Sequence, residues 1–172
     1  MFATIYLPDF YLQAALRHQP ENAGPVALID DQETKAVIIQ LNQAAEKVGV
    51  RCGMTQSQGL ARSLKLVVKT RTRVQERLLD QLLLQFSSTL APYVEATAPG
   101  VCTVQFTDVR NLGPKVERVI DQLRETKITA RAGIGPTPDT SLLAAHFARP
   151  VLQVGDTKTF LASLSIETLA VN

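Results

Sequence analysis

The sequence predicts an α+β fold, a ferredoxin-like βαββαβ arrangement carrying a small inserted α/β subdomain. Three observations predict it. With His18–Lys69 set aside, the remaining elements read strand, helix, strand, strand, helix, strand. The segment set aside has strands and helices of its own. Late in the chain, two extended runs flank the short turn Ala98-Pro99-Gly100.

The elements follow in order. Phe2–Leu7 alternates and is rich in strand formers, so it reads as a buried first strand. Asp9 is a candidate N-cap for a helix over Phe10–Arg17. His18–Gly24 is a polar loop. Pro25–Ile29 and Lys35–Ile39 read as strands joined across Asp30-Asp31-Gln32-Glu33. Leu41–Val48 is a short Ala-rich helix stopped by Gly49, and Thr55 caps a helix reaching about Arg62. Leu64–Val68 reads as a strand. Thr72–Leu90 is the longest helix, with Val74, Leu78, Leu79, Leu82, Leu83 and Phe86 on one stripe. Tyr93–Thr97 and Val101–Phe106 are strands, Gly113–Thr126 an amphipathic helix and Ile128–Ile134 a strand. Asp139–Phe147 is a helix, Val151–Val154 a short strand and Thr157–Leu161 a helical turn. The expected division is a main unit over 1–17 and 71–154, an inserted subdomain over 18–70, and a linker over 155–172.

At 172 residues the chain is one ordinary domain with a subdomain, able to bury about two thirds of its unfolded surface. The 45% hydrophobic and 20% charged fractions suit a globular protein. Cys52 and Cys102 match no metal spacing and read as two buried reduced thiols. Met1–Tyr6 is too short for a signal-peptide core, and the apolar runs fall short of the ~20 residues of a membrane span. The expected compartment is the cytoplasm.

Charge is unevenly distributed. Between positions 62 and 77, Arg62, Lys65, Lys69, Arg71, Arg73 and Arg77 face only Glu76, which leaves +5 there and −3 over the rest. That segment suits either phosphate-backbone contact or a solvated helix face. Arg51, in the Arg51-Cys52-Gly53 turn, could serve structural pairing or phosphate-backbone contact; Arg110 is a loop residue that could meet the same backbone. His18 reads as a surface residue and His146 as a helix C-terminal residue, with no catalytic partner at either.

Six segments, in this order, resemble those of the Y-family (UmuC/DinB-like) DNA polymerases. They are Pro8-Asp9-Phe10-Tyr11-Leu12, Val48-Gly49-Val50-Arg51-Cys52-Gly53-Met54, Pro92-Tyr93-Val94-Glu95, Ala132-Gly133-Ile134-Gly135-Pro136-Thr137, Ala148-Arg149-Pro150 and Phe160-Leu161-Ala162-Ser163-Leu164. The resemblance implies a palm and fingers, and a nucleotidyl transfer in which carboxylates hold metal ions. Position by position it places Leu7 where the first metal-binding Asp belongs and Pro99 and Gly100 where an Asp-Glu pair belongs, with Asp9 surviving. Leu12 corresponds to the sugar-screening aromatic, Gln43 and Glu46 to the triphosphate-gripping Tyr and Arg, and Leu142 to a lysine. Glu46 would repel a triphosphate.

The expectation is therefore a chain that is not an enzyme, without a Mg2+ site, in which Asp9 acts as a helix cap. The pattern is similar to the ImuB-type proteins of bacterial mutagenesis cassettes, on Asn42-Gln43-Ala44-Ala45, Glu95–Val101 and Gly135–Asp139. That likeness implies an adaptor, bacterial and nucleoid-associated, in DNA damage tolerance. Its implied partners are DNA, an error-prone replicative-type polymerase, a RecA-like accessory protein and the sliding clamp. Two alternatives are weighed: an active nucleotidyltransferase with relocated ligands Asp9, Glu95 and Asp108, and a generic ferredoxin-like interaction module. Family members continue into a thumb, little finger and tail, so the 172 residues are expected to be a piece of a longer protein or a natural truncation.

Overall fold

The computed structural model describes residues 1–19, 24–30 and 36–165. In chain order its elements are β1 (Phe2–Tyr6), α1 (Phe10–Leu16), β2 (Val26–Ile29), β3 (Ile38–Leu41), α2 (Gln43–Lys47), α3 (Gln56–Arg62), β4 (Val67–Thr70) and α4 (Arg73–Ser87). They continue with β5 (Tyr93–Ala98), β6 (Val101–Gln105), α5 (Leu112–Glu125), β7 (Arg131–Gly135), α6 (Pro138–Phe147), β8 (Val151–Gln153) and α7 (Thr157–Ala162). They form two compact units, Met1–Pro8 with Leu82–Asn172, and Asp9–Gln81. The second unit thus takes in α1 and the start of α4 as well as the expected 18–70 segment.

In the first unit the strand order is β5-β6-β1-β7-β8. β1 runs antiparallel to both neighbours, with Thr4 opposite Thr103 on one side and Gly133 on the other. The first four strands of that order are the ferredoxin-like sheet the sequence predicts. β8 adds a parallel edge beside β7, reached through α6.

Alternation along β1 and β7 explains where the core lies. Ala3, Ile5, Ala132 and Ile134 are fully buried on one face, and Thr4 is fully buried on the other. The central strand is therefore covered on both faces, not on one only. On the Thr4 face, α6 lies directly on the sheet backbone. A Cβ at Gly133 would sit 2.1 Å from the Ser141 carbonyl oxygen and 2.2 Å from the Ala145 nitrogen, so only glycine permits this approach. The buried Thr4 hydroxyl is satisfied by the hydroxyls of Ser141 at 2.7 Å and Thr103 at 3.2 Å. Thr137 caps α6 through the Thr140 N–H, with Pro138 opening the helix.

The second unit has the order β3-β2-β4, with β2 antiparallel to β3 and parallel to β4. The expected strand pair is present, although β3 starts later than Lys35. The expected turn residues 31–33, and residues 20–23 of the expected polar loop, lie outside the described residues, as does the linker beyond 165. Asn42 organises this unit: its Oδ1 accepts from the N–H groups of Ala45 and Val26, and its Nδ2 donates to the Gly24 carbonyl. Thr55 and Gln58 form the capping box of α3.

Three local expectations are corrected. β4 occupies Val67–Thr70 instead of Leu64–Val68, because Leu64 is 94% exposed in a turn and parallel pairing to β2 sets the register. Asp9 precedes α1 in a left-handed conformation (φ 50°), and its side chain makes no capping hydrogen bond. Cys102 is buried as expected, but Cys52, carried by the turn after α2, is exposed.

Candidate nucleic-acid interface

The basic segment around β4 divides by what its charges touch. Arg71 is spent inside the fold. Its Nε and one terminal nitrogen donate to the two Glu76 carboxylate oxygens at 2.9 and 2.7 Å, and its other nitrogen donates to Asp30 Oδ2 at 2.8 Å. The guanidinium carbon also stands 3.9 Å from the centre of the Tyr11 ring. Hydrogen bonding to Glu76 lifts the Arg71 pKa above its ordinary value against the opposing effect of burial. Arg73 donates to the same Asp30 oxygen at 2.8 Å. These groups fasten the ends of β2 and β4 to the start of α4.

Lys65 and Arg77 are exposed and Lys69 is half-buried, and none forms an ion pair among the described residues. They are the cations of this segment best placed to meet phosphates. Arg51 is exposed, yet donates to the carbonyls of Glu46 (2.7 Å) and Val50 (2.9 Å), so it braces the turn that ends α2. It lines a groove of about 610 Å³ with Cys52, Met54, Gln58 and Arg62. The Cys52 thiol is pushed up by burial first and by the charges of Asp9 and Glu46 as well, which keeps it protonated. Arg110 forks onto Asp108, Nε to Oδ1 at 3.0 Å and a terminal nitrogen to Oδ2 at 3.1 Å, and this pairing holds the Asp108 carboxyl below its usual range.

The nucleotide-position residues serve other purposes. Leu12 is buried with Val26 and Leu28, and its N–H donates to Gln40 Oε1 at 2.8 Å. Gln43 and Glu46 are exposed on α2, and Leu142 is half-buried on α6. His18 is exposed; His146 stacks on Tyr6 with ring centres 4.4 Å apart.

The residues at the family's metal positions lie at the end of β1 and in the β5–β6 turn. The Leu7 N–H donates to the Gly100 carbonyl at 2.8 Å, bringing the end of β1 to the β5–β6 turn. Leu7 is 1% exposed, Gly100 is buried at φ 71°, and Pro99 is exposed. A buried leucine side chain and a tight-turn glycine offer a divalent cation no side-chain ligand. Asp9 and Glu95 are each exposed.

Asp30 and Tyr11 are the members of the Arg71 cluster that sequence reasoning missed. Asp30 lies 41 residues from Arg71 in sequence, and nothing local announces that pairing.

The model of the impB/mucB/samB family matches residues 5–146. Among solved structures, the insertion ternary complex of Dbh DNA polymerase matches with TM-score 0.83 and 16% identity, over 97% of this chain and 53% of that one. DinB from Sulfolobus solfataricus matches with TM-score 0.81 and 17% identity, over 97% and 52%. A comparison with curated protein sequences finds no match. The chain thus spans about half the length of the solved polymerases it resembles.

These comparisons overturn the expectation that the chain is not an enzyme: the matching solved structures are DNA polymerases, one of them in an insertion complex. That expectation rested on side-chain identity at single positions, whereas hard cations also accept main-chain carbonyls and carboxylates from neighbouring positions. With its match over residues 5–146, the chain belongs to the impB/mucB/samB family.

Proposed function

We propose that this chain supplies the palm (1–17 and 71–154) and fingers (18–70) of a Y-family protein that acts in DNA damage tolerance by translesion synthesis. The observation that carries the reading is the family match over residues 5–146 on a palm of order β5-β6-β1-β7-β8. DNA is engaged through backbone phosphates, with Lys65, Lys69 and Arg77 as the principal contacts and Arg51 and Arg110 beside them. Arg71 and Arg73 act indirectly by holding this segment in place.

Within the superfamily we place the chain in the ImuB-type branch, supported by Asn42-Gln43-Ala44-Ala45 and Gly135–Asp139. Its role there is that of an adaptor joining DNA to an error-prone replicative-type polymerase, a RecA-like accessory protein and the sliding clamp. No helix among the described residues is long and apolar enough to cross a membrane.

Titrating labelled primer–template at several salt concentrations tests DNA engagement: affinity should fall steeply with salt, and salt-indifferent binding would defeat it. Primer extension by the full-length protein with magnesium or manganese measures the family's reaction directly. Affinity capture of the three named partners tests the adaptor role.

A further inference from the structure

A second cationic feature lies in the first unit, outside the basic segment. A groove of about 360 Å³ opens between the C-terminal end of α5, the start of β7 and the loop from α6 to β8. Its floor is apolar, formed by Ile120, Ile128 and Ala148, each at most 2% exposed. Its polar side chains are dominated by three guanidiniums, Arg124, Arg131 and Arg149, one from each of the three surrounding segments, and no carboxylate lines it.

The three differ in how they are held. Arg131 is half-buried, and one terminal nitrogen donates to the His146 carbonyl at 3.2 Å, which fixes its planar group beside the groove. Arg124 touches Asp121 at 2.9 Å, but both side chains are more than half exposed, so that pair holds it weakly. Arg149 is exposed and has no ion pair among the described residues. The field of this cluster is felt nearby: after burial, the charge of Arg131 is the second cause that lowers the His146 pKa.

Three guanidiniums lining one groove with an apolar floor repel one another without a counter-ion. Guanidinium geometry matches phosphate oxygens bidentately, and the low-dielectric floor strengthens each such bond. We propose that this groove is a phosphate-binding site, Arg131 giving the fixed contact and Arg124 and Arg149 closing on the ligand from either side. The phosphate could be part of a nucleic-acid strand or of a free polyphosphate; the chemistry of recognition is the same. The inference does not depend on the function proposed above.

The test is amide chemical-shift mapping on the 172-residue chain, titrated separately with inorganic pyrophosphate and with a short single-stranded oligonucleotide. Shifts should cluster at Thr129–Arg131 and Ala148–Arg149, and the His146 pKa should rise as the anion neutralises Arg131. The double variant Arg124→Glu and Arg149→Glu changes two exposed side chains, so its unfolding midpoint should stay put while binding weakens at least ~10-fold, the loss of charge-assisted bonds. Response to the oligonucleotide alone assigns the site to a strand; response to pyrophosphate alone assigns it to a free polyphosphate; response to both supports the phosphate chemistry itself. Scattered shifts, or binding by the double variant equal to wild type for both probes, would overturn the proposal. Weakened primer–template binding in Lys65→Glu or Arg77→Glu, with pyrophosphate binding intact, separates this site from the basic segment.

Discussion

The amide of Leu7 donates to the carbonyl of Gly100 at 2.8 Å, which carries the β1–β6 ladder on into the turn of the palm hairpin. Leu7 anchors that junction with a side chain 1% exposed, and Gly100 makes it possible by adopting φ 71°. Leu7→Ala should cost about 2–4 kcal/mol, since a buried leucine leaves both lost transfer energy and a cavity. Gly100→Ala should cost about 1–2 kcal/mol through forced left-handed backbone. Equilibrium denaturation measures both, and a neutral Leu7→Ala would mean the junction is not packed as described.

Gly133 should be the least replaceable residue of the palm. A methyl group there meets the α6 backbone at 2.1 and 2.2 Å, and backbone cannot swing aside as a side chain can. Gly133→Ala should therefore destabilise by at least about 3 kcal/mol, the upper end of overpacking costs. The paired variants Thr4→Val and Ser141→Ala should be coupled in a double-mutant cycle, because each alone removes one partner of the 2.7 Å hydroxyl contact.

Removing Arg71 leaves Asp30 and Glu76, with side chains 6% and 9% exposed, without their main counter-ion. Arg71→Ala should cost roughly 3–5 kcal/mol, the range for breaking a buried pair from one side. Arg71→Lys should recover little, because an ammonium cannot fork across both carboxylates and lie over Tyr11. Urea unfolding of the two variants decides it; equal stability of Arg71→Lys and wild type would show that charge alone suffices.

His146 gives a pH signature. Burial, and then the charge of Arg131, holds its pKa below the ordinary 6.5. Below pH 6.5 the unfolded chain therefore binds more protons at this site than the folded one. The contribution of His146 is complete above the unfolded value and is lost as pH falls towards the folded one. The stability difference between wild type and His146→Gln should be flat at neutral pH and shift against wild type on acidification. A difference constant with pH would exclude the effect.

Lys65 and Arg77 should govern DNA affinity without governing sequence preference. Each change to alanine should reduce the slope of log affinity against log salt by about 1, the signature of one lost phosphate contact. Arg110→Ala should change the slope less, since Asp108 already engages that guanidinium. An unchanged slope in Lys65→Ala and Arg77→Ala together would move the DNA contact elsewhere.

The sequence by itself determined the palm's elements and their order, because hydrophobic period and caps are local properties. The stripe through Leu79 and Leu83, the cap at Thr55 and the Pro99-Gly100 turn all appear where their residues announce them. Tertiary structure decided what distance along the chain conceals. It placed β4 by its parallel partner β2, and it gave Arg71 to Asp30 and Glu76, withdrawing it from solvent. It turned Asp9 from a cap into a left-handed residue, and it gathered Arg124, Arg131 and Arg149 around one groove. The physical reason is common to these cases: a charge or a strand edge carries no local record of its partner until the intervening chain has folded.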